Sequence, residues 1–198
     1  MASRTTVISG DYVQGSFGLL PLAGERARAA LHFSQLLGST SFEENLEQAR
    51  WYLRASLSEF RSIFDLLNSD LKSLGVAAQW KQSPYKAALE ADATVAVLRK
   101  VRDFAIHSAI IRGVPKTFTV STPGEKDPPS KMPSIVIEPL SRNTLEMRRE
   151  LTSFDDATLT SFNDQSRHWP ADLLVHIAIY RSSEPIACFL KEATSAGV

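Results

Sequence analysis

One of the chain's four histidines, His107, stands five residues after an arginine in a stretch that reads as a helix: Leu98-Arg99-Lys100-Val101-Arg102-Asp103-Phe104-Ala105-Ile106-His107. Imidazole is the side chain best suited to move a proton near neutral pH. Guanidinium offers a planar fork that fits phosphate oxygens. RNA carries its own nucleophile, the 2′-hydroxyl. A base that takes that proton and a cation on the phosphate therefore suffice for cleavage without a metal. Arg102 and His107 are of the right types for this chemistry. At ~100° per residue they stand about 140° apart around a helix and do not converge within it. A second copy related by a two-fold axis would bring them together. Arg99, Asp103 and His107 share one face at four-residue steps, so Asp103 is placed to accept a hydrogen bond from His107 and fix its tautomer. The structural alternative makes Arg102 a solvated helix residue and His107 a cation favoured at a helix C-terminus.

Other chemistries lack support. No His-Glu-x-x-His pair and no cysteine pair occurs, so no zinc site is expected, and no cofactor motif is present. The phosphate-cradling and dinucleotide-binding glycine patterns are missing. Gly15-Ser16-Phe17-Gly18 lacks the spacing and flanking strand of a nucleophile elbow. His32 and His176 lie in apolar stretches and read as core or boundary residues. His168-Trp169 precedes a helix start and is expected to pack there. Arg142, Arg148 and Arg149 form a small basic cluster that reads as a solvated helix face, with an RNA-backbone patch as the alternative. Trp51, Tyr52 and Phe60 read as core rather than base-stacking platforms.

The composition narrows the setting. Lys plus Arg equals Asp plus Glu at 22 each. No overall basic field attracts nucleic acid, so any RNA contact must come from a local patch. Near-neutral charge does not resist oligomerisation. A single Cys188 excludes an internal disulfide framework and suits a reducing compartment. The first ten residues show no apolar core behind a basic start, and no run approaches the ~18 apolar residues of a membrane span. A cytoplasmic protein with no membrane contact is expected.

The elements that must position the motif follow from periodicity. Residues 1–22 read as an irregular arm, with a short strand at Thr5 to Ser9. A helix is expected from Ala23 to Leu37, stopped by Gly38. Ser41-Phe42-Glu43-Glu44 fits a capping box, opening a long helix. Leu46, Ala49, Leu53, Ser56, Phe60, Ile63, Leu67, Leu71 and Leu74 form one stripe along it, before a stop at Gly75. A helix of that length needs partners along its whole extent. Trp80, in the linker, is expected to pack over a helix end. Ser83-Pro84 restarts a helix that should run to Arg112, with Val97, Val101, Phe104, Ser108 and Ile111 inward. Lys116 to Ser121 and Ser134 to Glu138 alternate with period two around a Pro-rich loop, Thr122 to Pro129, giving a β-hairpin insertion over 116–139. A short helix over Thr144 to Leu151 and another after a Ser153 cap follow. The last helix begins at Pro170, carries Leu173, Leu174, Ile177, Tyr180, Ala187 and Leu190, and is expected to kink or split at Pro185. The chain is thus expected to be mainly α: one domain over 1–198, an antiparallel up-and-down helical bundle with a small two-stranded β insertion.

Arg102, Asp103, three residues and His107 resemble the Arg-polar-x-x-x-His signature of the HEPN superfamily (higher eukaryotes and prokaryotes nucleotide-binding). The upstream Ala49-Arg50-Trp51-Tyr52-Leu53-Arg54-Ala55-Ser56-Leu57 is similar to the long helix preceding the motif helix in those proteins. The resemblance covers roughly residues 42 to 112. It implies a four-helix bundle that dimerises, with two motif helices facing across the axis to form one RNA-cleaving cleft. Arg102 and His107 would be the catalytic pair and Asp103 a supporting residue. It also implies a toxin or defence effector held by a protein partner or antitoxin. A non-catalytic helical dimer that binds a protein or a nucleotide is the alternative.

Overall fold

The arrangement of these elements is given by a computed structural model, which describes residues 11–40, 42–107, 113–120, 130–143, 148 and 151–195. The helices are α1 (Asp11–Phe17), α2 (Pro21–Ser39), α3 (Phe42–Ser73), α4 (Ala77–Gln82), α5 (Pro84–Ala91), α6 (Ala93–His107), α7 (Asp156–His168) and α8 (Ala171–Ser195). Between α6 and α7 lie two strands, β1 (Gly113–Val120) and β2 (Ser130–Ile137), and a 3-10 turn at Leu151–Ser153. The protein is mainly α with a small two-stranded insertion, as its sequence predicts.

The long helix α3 organises the rest. Ala49, Leu53, Ser56, Phe60, Ile63, Leu67 and Leu71 of the expected stripe are buried, with Leu57 and Asp70 beside them. It begins at Phe42, where the sequence places it, and is kinked near that end. Asn45 leaves helical geometry (φ −151°, ψ 63°) and its side chain accepts a hydrogen bond from the Gln48 backbone N–H at 3.2 Å. Asn45 thus caps the continuous part of the helix; the Ser41 cap lies outside the described residues. The stop is as expected. Gly75 adopts φ +75°, its N–H bonds the Lys72 carbonyl and the Val76 N–H bonds the Leu71 carbonyl, each at 3.0 Å. This paired closure needs a left-handed residue, which glycine supplies without strain.

Helix α2 packs along α3 through small residues, Ala23, Ala27 and Ala30, which let the two backbones approach. Its first turn carries no cap of its own. Asp70 of α3 supplies one: its carboxylate accepts the Ala23 N–H at 2.8 Å and the Leu22 N–H at 3.4 Å. Arg26 and Glu59 add an ion pair at 3.1 Å. Gly38 does not stop α2, which runs on to Ser39. A methyl there would lie 2.7 Å from Asp172 Oδ2, so glycine gives α8 room to approach. These contacts, together with Ser34–His176 and Phe64–Arg99, set α2, α3, α6 and α8 alternately up and down.

Three further expectations change. Residues 11–17, read as part of an irregular arm over 1–22, are helical: Val13 and Phe17 are buried, and Tyr12 packs edge-on against Tyr180 at 5.6 Å. The expected helix from Ser83 to Arg112 is two helices. Ser83 does cap α5, accepting the Lys86 N–H at 3.1 Å, but the chain turns at Asp92 (ψ 114°), whose side chain caps α6 by accepting the Val95 N–H at 3.0 Å. Asp155, not Ser153, caps α7, accepting the Thr158 N–H at 2.7 Å. The strands pair antiparallel with Gly113 opposite Ile137 and Val120 opposite Ser130. β2 is buried from Ser134 to Ile137, and β1 is largely exposed. The expected strand at Thr5 to Ser9, the Thr122 to Pro129 loop and most of the Thr144 to Leu151 helix lie outside the described residues.

Helix α8 is long and apolar enough by composition to cross a membrane, yet over half of that stretch is buried in the bundle. Its buried face includes His176, Ser182 and Ser183, which suits a core helix. It runs unbroken through Pro185 rather than splitting, and Tyr180 is half exposed.

Candidate functional site

The motif helix is fixed firmly at its start. Thr94 is fully buried, and its hydroxyl donates to Gln165 Oε1 of α7 at 2.7 Å. Arg181 of α8 donates to the Thr94 hydroxyl at 3.2 Å, to Gln165 at 3.3 Å and to Asp92 Oδ2 at 3.4 Å. One arginine therefore ties the first turn of α6 to both C-terminal helices. Val95, Val97 and Leu98 are buried beside it.

Arg102, Asp103 and His107 occupy the last two turns of α6. Their side chains lie outside the described residues. The helical backbone still orders the three positions. Position 102 continues the row of Val95 and Leu98, which is buried. Positions 103 and 107 continue the row of Ala96 and Lys100, which is half-buried. Asp103 and His107 thus share a row that Arg102 does not.

Upstream on α6, Arg99 stacks over the Phe64 ring at 4.3 Å. Burial, and next the charge of neighbouring Arg61, hold its guanidinium below the usual arginine pKa. Its buried Nε has no hydrogen-bond partner. Phe64, Asn68, Trp80, Lys81, Lys86 and Arg99 line a cavity of about 220 Å³. Lys86 is paired with Glu90 at 2.7 Å. This cavity lies toward the α4–α5 end of the molecule, away from the end of α6 that carries His107.

The remaining candidates sort into scaffold and surface. His176 is buried with Nδ1 3.2 Å from the Ser34 hydroxyl, and burial lowers its pKa below the ordinary 6.5. His32 and His168 are exposed, and Trp169 is exposed rather than packed at the helix start. Arg142 is neither a solvated face nor a free patch: it donates to the carbonyls of Leu151 and Phe154 and pairs with Asp156. Arg148 donates to the Arg142 carbonyl at 2.9 Å; Arg149 lies outside the described residues. Trp80 packs edge-on against Phe189 of α8, 5.0 Å between centroids. Phe60 is core and Tyr52 is half-buried, but Trp51, expected inside, is 62% exposed. Its spacing carried the signal: two residues before Leu53, it falls on the face opposite the stripe.

Among the described residues no cluster of three or more His, Cys, Asp or Glu side chains is placed to hold a metal. No family model, curated protein or solved structure matches the chain.

Proposed function

We propose that this chain is a metal-independent endoribonuclease of the HEPN type, active as a homodimer in the cytoplasm. The observation that supports the reading most is placement. The Arg102-to-His107 motif falls on one helix, in its last two turns, beside a long antiparallel helix and within an up-down-up-down set of four. In this reading His107 takes the proton from a ribose 2′-hydroxyl. The freed oxygen attacks the adjacent phosphorus and the bond to the 5′ oxygen breaks, leaving a 2′,3′-cyclic phosphate and a 5′-hydroxyl. The departing oxygen takes up a proton from the second copy's imidazolium or from water. Arg102 steadies the phosphate charge. The helical rows separate Arg102 from His107, and a second copy across a two-fold axis supplies the missing convergence. Asp103, on the row of His107, positions the ring and favours its charged form. A toxin or defence effector restrained by an antitoxin is the cellular role that fits.

The test is cleavage of mixed RNA in EDTA. The wild-type chain should leave cyclic phosphate ends, and His107→Ala should lose about 100- to 10,000-fold in rate, the usual contribution of a positioned acid or base. Equal cleavage by both proteins, or none by either, overturns the proposal. Asp103→Asn should weaken cleavage and shift its pH–rate profile. Light scattering should show twice the 21.9 kDa chain mass; a monomer alone would remove the second half-site.

A second reading rests on β1, whose Val114, Lys116, Thr117 and Thr119 are exposed while Ser134 to Ile137 of β2 are buried. An exposed strand is a docking element for a protein partner. Deleting Thr122 to Pro133 would then abolish partner capture with the fold intact.

A further inference from the structure

At the Asn45 end of α3, three neighbouring residues, Arg50, Trp51 and Arg54, form an exposed patch. Trp51 is 62% exposed, the largest exposure among the big apolar side chains of the described residues. Arg50 and Arg54 flank it on the solvent side, and both are exposed. Like charges four residues apart repel by a few tenths of a kcal/mol in water. Neither arginine has an ion pair among the described residues, a property shared with Arg28, Arg99 and Arg148, whereas Arg26, Arg61, Arg142, Arg167 and Arg181 each have a carboxylate partner. Arg50, Trp51 and Arg54, with the one acid Glu47, line a surface cleft of about 370 Å³.

Its position relative to the motif follows from the antiparallel packing of α3 and α6. Arg99 meets Phe64, and farther along a methyl on Gly113 would lie 3.5 Å from Leu53 Cδ2. Counting eight residues back along α3 from Phe64 puts position 107 level with Ser56, so Trp51 lies roughly 7 Å farther along the axis at ~1.5 Å per residue. Arg54 also continues the row of Arg61 and Asn68 at seven-residue steps, and that row is the side of α3 that meets Arg99.

We propose that Arg50, Trp51 and Arg54 form a platform for single-stranded RNA that leads into the end of the motif helix. One base stacks on the indole, and the two guanidiniums hold the phosphates on either side. The site offers an aromatic face and charge but no array of buried donors and acceptors for base edges. It therefore holds RNA with little regard to sequence. This inference rests on the RNA reading above. It also supplies the local basic patch that a chain of zero net charge requires.

The experiment separates binding from cleavage. A fluorescent 2′-O-methyl oligonucleotide has no free 2′-hydroxyl and cannot be cut by the proposed route. Its affinity is measured in EDTA for the full chain and for Trp51→Ala, Trp51→Phe, Arg50→Ala/Arg54→Ala and the control Trp169→Ala. Trp51→Ala should bind about 5- to 150-fold more weakly, the range for one lost base stack. Trp51→Phe should recover most of that loss. The double arginine variant should flatten the dependence of log affinity on log salt by about 1.4, for two single-strand phosphate contacts. Trp169→Ala should bind as the wild type does. Unchanged binding by both Trp51→Ala and the double variant overturns the platform, even if the wild type cleaves RNA. A loss confined to those variants sustains it, even if no protein cleaves. Unchanged RNA binding together with a shift from dimer to monomer in Trp51→Ala also overturns it, and would assign the patch to a second copy of the chain.

Discussion

The two ends of α3 carry the same buried stripe and opposite surfaces. Toward Gly75, two outward charged groups pair within the chain, Arg61 with Asp65 at 3.3 Å and Glu59 with Arg26 at 3.1 Å. Toward Asn45, Gln48 donates to the Tyr52 hydroxyl at 2.9 Å, while Arg50 and Arg54 have no ion pair among the described residues and the Trp51 indole stands in water. Core periodicity is identical in both halves, so packing cannot explain the difference. The outward side of one half carries ion pairs within the chain, and the outward side of the other carries the Arg50–Trp51–Arg54 patch.

This contrast can be broken by substitutions in the two halves. The largest expected effect on stability is at Phe60, fully buried and in edge contact with Phe64 at 5.3 Å. Phe60→Ala should destabilise by about 3–5 kcal/mol, read by urea unfolding. Trp51→Ala, nine residues earlier on the same helix, should stay within about 0.5 kcal/mol of wild type. A comparable loss at both sites would show that Trp51 is scaffold and erase the distinction.

Asp70→Ala tests the tertiary cap and comes next in size. It leaves the first N–H groups of α2 without their acceptor and should cost about 1–2 kcal/mol. Asp70→Asn retains an acceptor oxygen and should lose less. Equal losses from the two changes would assign the effect to charge alone.

The smallest effect is a pH dependence at His176. Its folded pKa lies below 6.5, so the unfolded chain binds more protons as the pH falls through that value. Stability is therefore fully present above 6.5 and declines on acidification toward the folded pKa. Melting curves at pH 7.5 and 5.5 should differ less for His176→Gln than for wild type. An identical pH response in both proteins would remove His176 as a contributor.

Much of this architecture was legible from spacing. The α3 stripe, the Gly75 stop and the Ser83 cap are local signals, and local physics decides them. The α1 helix was not, because its glycine-containing seven residues have weak propensity; Val13 and Phe17 gain enough by burial to override it. The break at Asp92 was hidden because the alanine-rich flanks continue a helical pattern, and only the capping side chain marks it. At the candidate site the sequence gives the residues, and the backbone adds their rows. Whether Arg102 and His107 meet across two copies belongs to quaternary geometry, which no spacing within one chain encodes.

The carboxylate of Asp70 also bears on the order in which the chain folds. It reaches a backbone N–H 47 residues earlier, but nearly all of the intervening chain is α2 and α3 themselves. Bringing the two ends together closes a hairpin of helices, and closure entropy grows only slowly with length. The contacts of α1 are of another kind, since Tyr12 finds Tyr180 only after the last helix exists. The α2–α3 hairpin is thus the part of the molecule able to form early, with α1 docking at the end. In stopped-flow kinetics, Asp70→Ala should slow folding and Val13→Ala should chiefly speed unfolding. A chain emerging from the ribosome would complete the Arg50–Trp51–Arg54 face of that hairpin before the motif helix has been synthesised.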